Sequence, residues 1–205
     1  MVGQYAFFFD ASVCSGCKAC QVACKDRNNL ETGLLWRRVY EVTGGGWEKR
    51  GEVWVPHVAA YNVSMACNHC ETPVCATSCP VKAIGKRDDG IVLIETSRCI
   101  GCRYCEWACP YTAIRFDAAA NRVSKCDFCV DALDAGEPPA CVAACPMRAL
   151  DFGDLAEIRK KYGDVRRTPP LPDPTQTGPA LIIKPHKDAA LAAKNNAEVA
   201  NWEEV

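Results

Sequence analysis

The fold is decided by the stretch Cys99-Ile100-Gly101-Cys102-Arg103-Tyr104-Cys105-Glu106-Trp107-Ala108-Cys109-Pro110. Its cysteines are spaced Cys-x2-Cys-x2-Cys-x3-Cys-Pro, which places three thiolates on one tight loop and directs the fourth elsewhere. Three thiolates so close together suit three corners of an iron–sulfur cubane better than the tetrahedral corners around one zinc ion. The stretch therefore predicts an iron–sulfur cluster loop.

Three further groups of cysteines surround this one. The 16 cysteines of the 205-residue chain fall into four groups of four, with none left over. They are Cys14, Cys17, Cys20 and Cys24 (group one), Cys67, Cys70, Cys75 and Cys79 (group two), Cys99, Cys102, Cys105 and Cys109 (group three), and Cys126, Cys129, Cys141 and Cys145 (group four). Group one repeats the spacing of group three, but Lys25 replaces the proline.

Two other interpretations of the cysteines compete with iron–sulfur ligation. A disulfide framework would also show an even cysteine count, but such scaffolds are usually short secreted domains. Structural zinc could fit group four alone, because its cysteines form two separated pairs. Groups one and three do not fit zinc easily, and iron–sulfur ligation is the interpretation that covers all four groups.

The endings of three groups repeat beyond the cysteine. They read Cys-Pro-x-x-Ala-Ile/Leu at 79–84, 109–114 and 145–150. A repeated unit predicts a repeated structure, here a cluster loop, a short helix and strand pairing. We expect an α+β fold of two tandem bacterial-ferredoxin-like modules, each with two [4Fe–4S] clusters, together with a β-hairpin insertion and an extended C-terminal arm.

The expected boundaries follow from these groups. Residues 1–36 and 115–167 form one module from groups one and four, and residues 62–114 form the other from groups two and three. Residues 37–61 form the insertion, with strands at 37–42 and 53–61 around Gly44-Gly45-Gly46. Residues 168–205 form a Pro-rich arm that contacts partner subunits, because Ala180-Leu181-Ile182-Ile183 would otherwise be an apolar patch in solvent. Strands are also predicted at 4–10 and around the Asp89-Gly90 turn, and a helix from an Asp154 cap to about Tyr162.

Each predicted cluster takes three cysteines from one group and the fourth from its partner group, as in two-cluster ferredoxins. The predicted sets are Cys14, Cys17, Cys20 and Cys145 (set one), Cys67, Cys70, Cys75 and Cys109 (set two), Cys99, Cys102, Cys105 and Cys79 (set three), and Cys126, Cys129, Cys141 and Cys24 (set four). Iron is therefore expected on all sixteen cysteines. Lys18, Lys125 and Arg103 are candidate cations beside the clusters, with solvated surface charge as the alternative. His69 is expected to donate or accept a hydrogen bond rather than to ligate iron, and Trp107 to pack against a cluster.

Composition excludes some functions. The formal net charge is −1, without the basic excess that nucleic-acid binding requires. The first ten residues lack the pattern of a signal peptide, and no stretch approaches the length of a membrane span. We expect the chain to be soluble when made and to reach a membrane through partners.

Four segments carry a resemblance to a known family. They are Cys14-Ser15-Gly16-Cys17-Lys18-Ala19-Cys20, Cys67-Asn68-His69-Cys70-Glu71, Cys99-Ile100-Gly101-Cys102-Arg103-Tyr104-Cys105, and Arg148-Ala149-Leu150-Asp151-Phe152-Gly153. With them the chain resembles, from Gln4 to about Pro185, the iron–sulfur (beta) electron-transfer subunit of dimethyl-sulfoxide reductase in the molybdopterin oxidoreductase family. Related subunits of polysulfide, thiosulfate, tetrathionate and formate enzymes share the cysteine spacing.

The resemblance implies a heterotrimer for anaerobic respiration. A catalytic subunit holds molybdopterin, an integral-membrane anchor oxidises quinol, and this chain relays electrons between them with no catalytic site of its own. Some relatives have tryptophan in place of one group-three cysteine and hold a [3Fe–4S] cluster, but Cys102 fills that place here, so four [4Fe–4S] clusters are implied. Co-export with a twin-Arg catalytic subunit implies the periplasmic side of the membrane rather than the cytoplasmic side. The alternatives are the iron–sulfur subunit of one of the related enzymes, a free multi-cluster ferredoxin, or a zinc-stapled binding module.

Overall fold

The computed structural model describes residues 3–194 and 197–205. The predicted segments 1–36 and 168–205 also include residues outside the described part, namely Met1, Val2, Asn195 and Asn196. The strands are β1 (Tyr5–Asp10), β2 (Arg38–Arg50), β3 (Val53–Met65), β4 (Ile84–Lys86), β5 (Val92–Ile94), β6 (Arg115–Asp117), β7 (Arg122–Ser124), β8 (Leu150–Asp154), β9 (Leu181–Lys184) and β10 (Glu198–Val199). The helices are α1 (Ala19–Arg27), α2 (Val74–Thr77), α3 (Tyr104–Ala108), α4 (Val130–Asp134), α5 (Ala140–Ala143), α6 (Leu155–Tyr162) and α7 (Ala189–Lys194), with 3₁₀ turns at Thr96–Arg98, Pro174–Gln176 and Trp202–Glu204. The chain is thus a mixed α+β fold of short elements. Among the described residues, no helix has the length and apolar character that crossing a bilayer requires.

The centre of the molecule is a three-stranded sheet in the order β8-β1-β9. β1 pairs antiparallel with β8 and parallel with β9. Because side chains alternate along a strand, Phe7 and Phe9 enter the main core, while Ala6 and Phe8 enter a smaller core that contains Leu155 of α6. Burial on both faces explains why this strand is apolar without polar alternation. The sheet also fixes where the loop of group one begins, just after β1.

The C-terminal segment corrects the prediction of an extended arm. Ala180, Leu181, Ile182 and Ile183 are all buried, and β9 is an outer strand of the central sheet. Farther along, α7 packs against β2 and β3, and β10 pairs with β2. The expectation that residues 180–183 need a partner's surface was therefore wrong, because β1 and α6 of the same chain cover them.

β2 and β3 form an antiparallel hairpin between groups one and two that is longer than expected. Its pairing runs from Arg38 opposite Met65 to Arg50 opposite Val53, so the turn lies at residues 51–52 and the three glycines lie inside β2. Gly45 has φ 91°, and a Cβ there would meet the His57 carbonyl oxygen at 1.8 Å. Glycine is required at this position because the two backbones approach closely.

Two smaller hairpins, β4–β5 and β6–β7, accompany groups two and three. The first contains the predicted turn at Asp89-Gly90, where Gly90 has φ 83°. Helix α6 begins and ends as predicted, since the Asp154 carboxylate accepts a hydrogen bond from the Ala156 N–H at 2.9 Å and Gly163 follows the last turn. These elements depend on local signals, which is why the sequence alone locates them.

Replacing Gly45 by alanine should destabilise the hairpin by about 2 kcal/mol, because an L residue is strained at positive φ and its Cβ would press on the His57 carbonyl. Amide hydrogen exchange across β2 and β3 should then be roughly 30-fold faster. Gly46→Ala is the matched control, since a Cβ there meets nothing within 4 Å and exchange should not change. Equal effects of the two substitutions would contradict this role of Gly45.

Candidate iron–sulfur centres

The loops of groups one and three share one backbone geometry. Gly16 and Gly101 both have φ 70°, and Lys18 and Arg103 have φ 61° and 64°. In each loop the second left-handed residue stands directly before a helix, α1 or α3. The common Cys-x2-Cys-x2-Cys spacing therefore produces the same tight curl at two places in the sequence.

The repeated Cys-Pro-x-x-Ala endings also share a geometry, which points a backbone N–H at each cysteine. The residue before the alanine is left-handed in all three endings: Lys82, Thr112 and Arg148 have φ 50°, 48° and 51°. The N–H groups of Ala83, Ala113 and Ala149 donate to the Sγ atoms of Cys79, Cys109 and Cys145 at 3.2, 3.5 and 3.3 Å. A hydrogen bond to the ionised form favours that form, so each repeat provides a donor that stabilises a thiolate.

The folded chain gathers cysteines from different groups around three apolar cavities. The first is lined by Cys67, Cys70, Cys75 and Cys109. The other two are lined by Cys79, Cys99, Cys102 and Cys105 and by Cys14, Cys17, Cys20 and Cys145. These are the members of sets two, three and one. That each quartet ligates one cluster stays a prediction.

The four cysteines of set four lie close enough to interact electrostatically. Burial raises the pKa of the Cys24 thiol to about 12, and negative charge on Cys141 and Cys129 adds to the rise. Burial also raises the pKa of Cys126 well above its usual value, with Cys24 and Cys141 among the charges that contribute. Cys24 of group one thus lies near the three group-four cysteines that set one does not use.

The donor set fits iron–sulfur clusters. All sixteen cysteines are free thiols, so disulfides do not hold this fold together. Within the described ranges 3–194 and 197–205, no group of three or more His, Cys, Asp or Glu side chains is arranged to hold a metal ion. Four thiols around an apolar cavity instead suit an inorganic core that fills the space between them.

Burial makes these thiols hard to ionise without help. It raises the pKa of Cys70 and Cys75 to about 12 and that of Cys105 to about 11. A cysteine must lose its proton to bind a metal, so assembly releases protons that burial would otherwise retain. The iron core, the N–H donors and nearby positive charge must together stabilise the thiolates.

Three buried cations lie among these sites. Arg37, Arg38 and Lys125 are 3%, 1% and 4% exposed. No carboxylate in the described part of the sequence forms an ion pair with any of them. Within the described part of the chain, the Lys125 ammonium donates to the carbonyls of Val92 and Cys126 and to no other group. Buried charge without a counter-ion is costly, so these cations require negative charge nearby, which anionic clusters would provide.

The other two candidate cations from the sequence have a different role. Lys18 pairs with Glu41 at 3.2 Å and with Glu204, and Arg103 pairs with Glu106 at 2.6 Å. Both lie near the surface, and both charges are already balanced by carboxylates. Lys18 also lines the cavity of set one and Arg103 that of set three, so their place as cations beside clusters stays a prediction.

The two aromatic residues singled out inside the cysteine groups differ. His69 is buried, and its Nδ1 accepts a hydrogen bond from the Val92 N–H at 3.0 Å, in agreement with the predicted hydrogen-bonding role. Trp107 is 71% exposed, with the ring of Tyr104 5.7 Å away. The expectation that Trp107 packs against a cluster was wrong, because the short helix α3 buries its Cys105 side and leaves Trp107 in solvent.

Sequence reasoning missed Arg37 and Arg38. The available signal was a pair of arginines at the start of the apolar run Val39-Tyr40. Because side chains alternate along a strand, two consecutive charged residues cannot both face solvent when one face is buried. Here Arg38 begins β2, Arg37 lies in the bend before it, and both arginines are buried.

Comparison with known proteins identifies the family of these sites. The family model of the 4Fe-4S dicluster domain matches residues 58–155, which contain groups two, three and four. The B subunit of the anaerobic dimethyl sulfoxide reductase of Escherichia coli is 45% identical over 205 residues, covering 100% of both proteins. This protein belongs to the family of dimethyl sulfoxide reductase B subunits.

Two further relatives also match this protein over nearly its full length. The B subunit of the anaerobic dimethyl sulfoxide reductase of Haemophilus influenzae is 44% identical over 203 residues, covering 98% of this protein and 99% of the relative. The B subunit of the polysulfide reductase of Wolinella succinogenes is 34% identical over 196 residues, covering 93% and 99%. The similarity therefore extends beyond the dicluster domain toward both ends of the sequence.

Replacing His69 by alanine should destabilise the cluster-loaded protein by about 3 kcal/mol, because a buried ring is lost and the Val92 N–H loses its acceptor. The midpoint of thermal unfolding should fall by roughly 6–12 °C. His57→Ala, in the exposed part of the hairpin, is the control and should shift it little. Iron content should stay unchanged in both variants, and a loss in His69→Ala would point instead to ligation.

Proposed function

We propose that this chain relays electrons through four [4Fe–4S] clusters, between a membrane-anchor subunit that oxidises quinol and a catalytic subunit that holds molybdopterin. The observation that supports this most directly is the gathering of cysteines from different groups around apolar cavities. A bound [4Fe–4S] cluster supplies one-electron chemistry, because it gains and loses an electron without a change of ligands. The relatives, which are subunits of dimethyl sulfoxide, polysulfide and tetrathionate reductases, support a place in a reductase complex.

The proposed ligands follow one rule, in which paired groups exchange their fourth cysteines. Cluster 1 takes set one, cluster 2 set two, cluster 3 set three and cluster 4 set four, as defined above. The two clusters of a pair are then linked through the chain. Each cysteine group supplies three ligands to one cluster and its remaining cysteine to the other cluster. A continuous path for electrons requires such linked sites.

The proposed architecture is two tandem ferredoxin-like modules, residues 62–114 for groups two and three and residues 1–36 with 115–167 for groups one and four. The common loop and ending geometries support a repeated unit. The insertion at 37–61 is proposed as a β-hairpin between groups one and two, although β3 continues to Met65. Partner contacts of residues 168–205 would involve their exposed side chains, such as Trp202, because residues 180–183 are already covered.

The residues of this chain hold and insulate the clusters rather than transform a substrate. Apolar side chains such as Ile114 and Val92 line the cavity of set two and exclude water. Backbone N–H groups donate to the sulfurs, and buried cations offset negative charge. No catalytic residue is assigned to this chain, so the reductase substrate would bind on the catalytic subunit.

The proposed partners place the protein at a membrane without a span of its own. We propose the periplasmic side, by co-export with the catalytic subunit, over the cytoplasmic side. A related reductase for polysulfide or tetrathionate is the second candidate, because subunits of those enzymes are also similar to this one. Co-purification with the catalytic and anchor subunits, followed by reduction assays with each substrate, distinguishes the two, and a protein that purifies without partners would favour a free ferredoxin.

Anaerobic purification of the full-length protein should give about sixteen iron and about sixteen acid-labile sulfide per molecule, because each of four cubanes holds four of each. Reduction with dithionite should produce interacting [4Fe–4S]⁺ signals in EPR spectra. Zinc without sulfide would overturn the electron-transfer proposal. Half the expected iron would limit the proposal to one two-cluster module.

Pairwise cysteine substitutions should reveal which groups share a cluster. Cys145→Ala should reduce the integrated intensity of intact [4Fe–4S]⁺ clusters by about one quarter. Adding Cys14→Ala should cause no further loss of intact clusters, because both residues belong to set one. Adding Cys126→Ala instead should remove a second cluster, because it belongs to set four. The opposite result would show that group four ligates a cluster by itself.

A further inference from the structure

Arg37 and Arg38 are adjacent in the sequence but serve different parts of the molecule. The side chain of Arg38 donates to the carbonyls of Tyr111 and Thr112 at 3.2 and 2.8 Å, beside the ending of group three. Arg37 lies in the bend just before β2, and its side chain meets different partners. Its guanidinium lies over the ring of Phe7, 4.8 Å from the centroid. Each arginine therefore places one buried positive charge beside a different module.

Arg37 lies near cysteines of two different sets. Its Nη1 donates to the Ser64 hydroxyl at 3.1 Å, and that hydroxyl lies 3.4 Å from the Cys20 Sγ of set one. Since the Ser64 oxygen accepts from Arg37, its own proton is free to point at the Cys20 sulfur. Cys24, Cys126 and Cys141 of set four also lie close enough to interact electrostatically with the Arg37 guanidinium. Arg37 thus lies near the cysteines of both sets of one module.

Once ionised, these cysteines would balance the charge of Arg37. Burial alone would lower the pKa of the guanidinium, but negative charge on the surrounding cysteines raises it above its usual value, and those cysteines are Cys141, Cys20, Cys126 and Cys24. Arg38 shows the contrast, since burial lowers its pKa to about 10 and Cys109 is the one cysteine that opposes the change. The Nε of Arg37 has no hydrogen-bond partner among the described residues.

We propose that Arg37 is a positioning residue that sets the reduction potentials of the clusters in sets one and four, with Ser64 as its hydrogen-bonded link to Cys20. The inference rests on the proposed function, because it requires clusters at these sets. A reduced cluster has one more negative charge than an oxidised one, so a fixed cation nearby favours the reduced state and raises the potential. A guanidinium suits this role because it stays protonated and holds a rigid geometry.

The test is a redox titration of the full-length, cluster-loaded protein, monitored by EPR. Arg37→Gln removes the charge and keeps a hydrogen-bonding side chain, so the potentials of two clusters should fall while the other two stay unchanged. Arg37→Lys keeps the charge and should recover most of the shift. Arg38→Gln is the matched control, since it removes an equally buried charge and should lower the potential of the set-two cluster, which includes Cys109.

The affected clusters can be assigned with Cys145→Ala and Cys24→Ala, which remove those of sets one and four. Unchanged potentials in Arg37→Gln, or an equal fall in Arg37→Lys, would overturn the inference. If Arg37→Gln does not assemble, Ser64→Ala decides: the potential of the set-one cluster alone should fall, and no change would overturn the inference.

The iron and sulfide counts of the unmodified protein separate the two proposals. A protein without clusters would overturn both the proposed function and this inference. A protein with four clusters whose potentials do not depend on Arg37 would overturn only the inference.

Discussion

The fold of this protein depends on burying the negative charge of cysteine thiolates together with hydrogen-bond donors and cations that stabilise it. The formal charge of the chain is −1, and four [4Fe–4S]²⁺ cores with their thiolates would add about −8. Apolar cavities keep water from the sites but also oppose thiolate formation, as the raised pKa of Cys70 and Cys75 shows. The N–H donors of the repeated endings and the buried cations offset that cost. Metal binding and folding should therefore be strongly coupled in this protein.

The parts of the fold that sequence predicted correctly are those with local causes. Asp154 caps α6 through a contact two residues away, and the Asp89-Gly90 turn lies between strands that are close in sequence. The repeated Cys-Pro-x-x-Ala ending acts over four residues, and its conformation recurs in all three copies. The cysteine spacing also indicated the four quartets, because three predicted ligands of each belong to one group that is continuous in sequence. Their assignment to clusters stays a prediction.

The parts that sequence did not predict depend on contacts between distant segments. Ile182 belongs to the core only because β9 pairs in parallel with β1, which lies at the other end of the sequence. Nothing near residues 180–183 indicates that partner, so a proline-rich neighbourhood suggested an arm instead. Arg37 and Arg38 were missed for a related reason, because the cysteines near them belong to other segments of the sequence. Trp107 was misplaced because residues in a cluster loop were assumed to face the cluster, whereas α3 has a side toward solvent.

The missing proline of group one has a structural cause that connects these observations. Helices α2, α3 and α5 end before the fourth cysteine of their groups, so a proline can follow it. Helix α1 continues past Cys24 to Arg27, where a proline at position 25 would clash with the helix. In the continued helix, the backbone N–H four residues after Cys24 is already used, because the Asn28 N–H donates to the Cys24 carbonyl at 3.3 Å. This N–H therefore does not point at the Cys24 sulfur.

Cys24 therefore lacks the N–H donor that Cys79, Cys109 and Cys145 receive from their own repeats. Its sulfur instead meets the Asn28 side-chain amide at 3.8 Å. The continued helix places that side chain one turn after Cys24, so it supplies a donor where the repeated endings use the backbone. Arg37, in the bend before β2, adds a buried cation that reaches Cys20 through Ser64. The insertion is in this sense part of the cluster environment, rather than an addition to it.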